Sequence, residues 1–92
     1  MSQLRRHYLV TGRVQGVGYR YFTRGAARQH GVTGWVRNLP NGDVELEAQG
    51  EVAALDRLER DLLDGPPLSL VRSVQPSERA VVPGETAFAV RF

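Results

Sequence analysis

Residues 12–22 read GRVQGVGYRYF, with Gly12, Gly16 and Gly18 ahead of Arg20, which stands between two tyrosines. An arginine offers a planar fork of N–H donors suited to an oxyanion such as phosphate. Glycines let a backbone curl until successive amides converge on one point. If a helix starts here, its first amides have no partner within it and lie at the positive end of its dipole. The stretch then makes a nest for a phosphate group, and Arg20 completes it with a bidentate contact. A plainer reading also fits: the glycines make a corner, and Arg20 is a solvated helix residue. The nucleotide-binding patterns are absent, since no Gly-Lys-Ser/Thr follows and Tyr21 occupies the last glycine position of G-x-G-x-x-G.

A second stretch, GWVRNLPNGDVE, places Asn38 directly before a turn. A carboxamide has an acceptor and a donor, enough to aim a water molecule but not to deprotonate it. The local alternative is that Asn38 hydrogen-bonds the turn backbone. Other candidates carry less. His7 and His30 are the only histidines and there is no cysteine, so neither a thiolate metal site nor a disulfide framework can form. Both histidines, with Glu45 and Glu47 on one strand parity, read as surface or structural groups. So does the Arg5-Arg6 pair, as a solvated N-terminal edge. Trp35 and Tyr19 read as packing residues, with Tyr19 near enough to wall the nest.

The elements that must position these groups follow from periodicity. Tyr8, Val10 and Val14 share one parity of a first strand. Tyr19, Phe22 and Ala26 keep helical spacing until Gly31, a left-handed stop. Gly25 inside that helix costs about 1 kcal/mol against alanine, for which close packing on a sheet is the expected reason. TGWVRN and DVELEAQ flank the Pro-Asn-Gly turn of a hairpin. Val52, Leu55, Leu58 and Leu62 form one stripe of a second helix, which Gly65-Pro66-Pro67 ends. Leu70, Val71 and Val74 mark an irregular strand, PSERAVVPGET a polar connection, and Phe88, Val90 and Phe92 one face of a short last strand. The order predicts an α+β, ferredoxin-like βαββαβ sandwich: an antiparallel sheet, two helices on one face and an extra C-terminal strand. Residues 1–92 read as a single domain.

Composition narrows the partners. The 12 basic residues are all arginine, against 10 acidic ones, giving a net charge of +2. The basic pI reflects arginine's high pKa and is no argument for nucleic-acid binding. No apolar run approaches the ~20 residues that span a bilayer, and no signal-peptide core opens the chain. A cytoplasmic, reducing setting without membrane or nucleic-acid partners is expected.

Together the two stretches resemble the paired signatures of the acylphosphatase family, G-R-V-Q-G-V-x-[FY]-R and G-W-V-[RQ]-N-x-x-[ND]-G-x-V-E. The GPP after the second helix and the closing FAVRF are similar to the family too, so the resemblance spans the chain. It implies hydrolysis of the carboxyl–phosphate anhydride of acyl phosphates, with no metal or other cofactor. Arg20 would bind the phosphate, Asn38 would hold the attacking water, and the amides of Gln15, Gly16, Val17, Gly18, Tyr19 and Arg20 would complete the cradle. Inorganic phosphate and other oxyanions become expected ligands, and a monomer the expected state. Phe92 stands where relatives often end in tyrosine, and Gly18 where some carry a bulkier residue. Two rivals remain: a phosphate-binding or regulatory module of the same fold without hydrolysis, and an RNA-binding ferredoxin-like module. The latter needs aromatics on the open sheet face, where Glu45 and Glu47 stand instead.

Overall fold

The structure, a computed structural model, describes residues 3–92. Its elements follow the expected order: β1 (Leu4–Arg13), α1 (Tyr19–His30), β2 (Thr33–Asn38), β3 (Val44–Gly50), α2 (Val52–Asp64), β4 (Leu70–Arg79) and β5 (Phe88–Val90). The five strands form one sheet in the order β4-β1-β3-β2-β5. Alternation along β1 and β3 sends Tyr8, Val10, Val44, Leu46 and Ala48 into the core. There they meet Ala26 and Ala27 of α1 and Leu55, Leu58 and Leu62 of α2. A strand's two-residue period and a helix's 3.6-residue period each leave one apolar face, and these faces bury each other.

Several expectations change, and the last strand ends at Val90, leaving Phe92 beyond it. The sheet is mixed, because β5 runs parallel to β2, with Trp35 opposite Ala89. Strand β4 continues through Pro76 to Arg79, which the sequence places in a polar connection. Being an edge strand, β4 tolerates a residue that donates no amide hydrogen. Val52 is 42% exposed rather than part of the buried stripe of α2, since it opens the first turn. Gly25 is exposed, and a Cβ built there would touch nothing within 4 Å, so sheet packing does not explain it.

The outer sheet face is ionic rather than freely solvated. Arg5 is only 2% exposed, held by Glu47 at 2.6 Å and by Glu85 at 2.8 Å. The connection after β4 folds back over this end of the sheet, and Gln49 fastens it through the amide and carbonyl of Val82. Glu45 accepts from Arg37 and lies 2.8 Å from His7 Nε2. Burial works to raise the Glu45 pKa, but the hydrogen bonds from His7 and Arg37 outweigh it and hold the carboxyl below its ordinary value. His30 at the end of α1 reaches Asp61 of α2 at 2.7 Å, tying the helices together. No helix is long and apolar enough to cross a membrane.

Candidate active site

The turn from β1 into α1 bends through Gly16, at φ 74°, and Gly18, at φ 79°. Gly18 caps the helix in the left-handed conformation, which a side chain would strain, and its carbonyl accepts the first helical bond from Phe22 at 3.0 Å. No side chain caps this end, and the first turn carries no acid. Among the described residues, the amides of residues 15 to 21 find no backbone acceptor. A row of free donors at the positive end of a helix is an anion site in waiting.

Gly16, Gly18, Tyr19, Arg20 and Asn38 line one cavity of ≈ 190 Å³, together with Val14 and Tyr21. The sequence-predicted pair, Arg20 on α1 and Asn38 on β2, therefore shares a single site. Gln15 and Val17 stand outside its lining. Val17 packs against the core. Gln15 turns its carboxamide away, donating to the carbonyls of Leu39 at 2.7 Å and Asp43 at 2.8 Å. It thereby straps the glycine loop to the β2–β3 hairpin that carries Asn38.

Asn38 pairs with Val44 through the ladder, but the turn closes without its side chain. Leu39 and Asp43 pair through their main chains at 2.8 Å, Gly42 donates to the Leu39 carbonyl, and Asn41 Oδ1 accepts the Asp43 amide at 3.0 Å. The turn role open to Asn38 on sequence grounds is thus taken by Asn41.

Arg20 is held from the far end of the chain. Its Nη1 donates to the Arg91 carbonyl at 3.0 Å, and its Cζ lies 4.5 Å from the centre of the Phe92 ring. This cation–π contact and single hydrogen bond leave most of the guanidinium's donors for a ligand. The Tyr19 hydroxyl points into the protein, donating to the Leu62 carbonyl at 2.6 Å, and burial pushes its pKa up. Its phenol is a packing post rather than an acid. The sequence reading missed three supports: Gln15 as a strap, and Arg91 and Phe92 as the clamp on Arg20. Gln15 stands in the first signature, and Arg91 and Phe92 in the FAVRF ending.

Fold and cavity together define a class: a ferredoxin-like α+β domain with a cavity lined by Arg20 and Asn38 where its first strand turns into its first helix. The chain belongs to the acylphosphatase family, whose family model matches residues 6–90. It is 50% identical to an acylphosphatase of Bifidobacterium longum over 90 residues, covering 96% of this chain and 92% of that one. An acylphosphatase of Methylococcus capsulatus is 49% identical over 84 residues, 91% of each chain. The crystal structure of acylphosphatase from Bacillus subtilis superposes with a TM-score of 0.92 at 35% identity, covering 97% of this chain and 99% of that one.

Proposed function

We propose that this protein hydrolyses the mixed anhydride of acyl phosphates to a carboxylate and inorganic phosphate, using the loop amides, Arg20 and Asn38. The observation that carries this reading is the shared cavity, in which a fixed guanidinium and a carboxamide not needed by its turn line the walls with the glycine loop. The loop amides and Arg20 take the phosphoryl oxygens. Charge that spreads over the equatorial oxygens as the P–O bond breaks meets donors already in place. The leaving carboxylate is stable as an anion and needs no protonation, so no general acid is required of the site. Asn38 orients a water for in-line attack, and the phosphoryl group itself accepts the proton that the carboxamide cannot take. Positioning then supplies much of the acceleration. The protein acts as a monomer in a reducing, cytoplasmic setting and binds phosphate and similar oxyanions in the same cradle.

The test is hydrolysis of benzoyl phosphate with chelator present, by the parent, Arg20→Ala and Asn38→Ala. Charge-assisted hydrogen bonds contribute roughly 1.5–3 kcal/mol each, so losing two of them from Arg20 lowers kcat/KM by about 100-fold or more. Asn38→Ala lowers kcat with little change in KM. A folded parent without turnover, yet protected by phosphate against thermal unfolding, would favour the binding-module reading. Activity retained in Asn38→Ala would remove that residue from the mechanism.

A further inference from the structure

We propose that Arg24 and Arg28 continue the charge of Arg20 along α1 and draw phosphate dianions toward the cradle, adding affinity without touching the bound ligand. This rests on the phosphate cradle of the hydrolase reading and adds two residues that lie outside it.

The α1 sequence YRYFTRGAARQH holds three arginines and no acid. Arg20, Arg24 and Arg28 stand four residues apart, so they share one face and climb about 6 Å per step. Like charges at this spacing destabilise a helix, and cations in its first half oppose a dipole that favours acids there. Carboxylates elsewhere do not compensate. Among the described residues none of the three forms an ion pair, whereas Arg5, Arg6 and Arg37 each do. A charged row that works against its own helix is left to act on something outside it.

The row leads to the site. Arg24 leans toward the start of α1, its Cζ 5.2 Å from the centre of the Tyr21 ring, and Tyr21 lines the cavity shared by Arg20 and Asn38. Arg28 is exposed near the other end of the helix, beside Thr86, Ala87 and Phe88 where β5 begins. The neighbouring face of α1 is different. There Tyr21, Gly25 and Gln29 border a groove that Asp61 and Asp64 of α2 close. Attraction on one side of α1 and repulsion on the other bring a dianion in over the arginine face.

Salt separates this role from a structural one. The Debye length is about 30 Å at 0.01 M and about 8 Å at 0.15 M ionic strength. Arg24 and Arg28 lie about 6 and 12 Å along the axis from Arg20, so both are felt at low salt and chiefly Arg24 at high.

The test measures kcat and KM for benzoyl phosphate, and the Kd of inorganic phosphate by calorimetry, at these two ionic strengths. It compares the parent, Arg24→Gln, Arg24→Gln/Arg28→Gln and the control Arg57→Gln/Arg60→Gln, which removes the same charge from the exposed face of α2. At low salt the Arg24/Arg28 variant raises KM and the phosphate Kd by about fivefold at unchanged kcat, and the gap narrows to about twofold at 0.15 M. Arg24→Gln alone carries most of the gap that survives at high salt, and the α2 control follows the parent. A gap that ignores salt, an equal loss in the control, or no gap at low salt overturns the inference while leaving the hydrolase reading intact. A parent that binds phosphate without hydrolysing benzoyl phosphate overturns the hydrolase reading alone, and the phosphate Kd values still decide this one. A parent that binds no phosphate overturns both.

Discussion

Arg20 has the right charge by composition and the right geometry by placement, and these can be separated. Its fork reaches the Arg91 carbonyl and lies on the Phe92 ring while facing the cavity, which a flexible ammonium cannot reproduce. Arg20→Lys keeps the charge and loses the bidentate contact. It is expected to retain phosphate protection in a thermal-shift assay while kcat/KM falls by at least about tenfold, the equivalent of one charge-assisted bond. Full activity in that variant would mean that charge alone suffices. The motif residues themselves were legible because their spacing brackets a turn whose physics is local. The Arg91–Phe92 clamp was not, because it joins positions 71 apart in the chain.

At the scale of elements, the site depends on a loop and a hairpin keeping one register, and Gln15 is the side chain that fixes it. Gln15→Ala removes two bonds to partly buried carbonyls, expected to cost about 1–3 kcal/mol in urea unfolding. The same variant should raise KM for an acyl phosphate, as the glycine loop and Asn38 lose their common reference. A loss of stability with unaltered kinetics would reduce Gln15 to scaffolding. The outer sheet face makes a different prediction. Glu45 is held below its ordinary value of 4.5, so its contribution to stability is present above that pH and is lost as pH falls through the lowered value. Parent and Glu45→Gln should therefore differ in urea midpoint at pH 7 and converge in acid; a pH-independent gap would mean that packing, not ionisation, separates them. Periodicity revealed the helices, the hairpin and the core face of β1 because each is read within a few residues. It could not show that Arg5 is buried, since the shielding comes from Glu47 and Glu85 across the fold. Nor could it carry β4 past Pro76, because edge position is a property of the finished sheet.

Across the whole molecule, the central part of the sheet is assembled out of chain order. Strand β1 lies between β3 and β4, so its second edge stays bare until residues 70–79 arrive. The parallel pairing of β5 with β2 then delivers Arg91 to Arg20. Contacts of such long range make the search for the native state slow relative to helix formation. Catalysis becomes a clock for that search. After dilution from denaturant, helical circular dichroism should return early, whereas hydrolysis should reappear only once β5 has docked, because the guanidinium is not seated until Arg91 arrives. A compact intermediate of this chain would be well formed to the spectrometer and silent to its substrate.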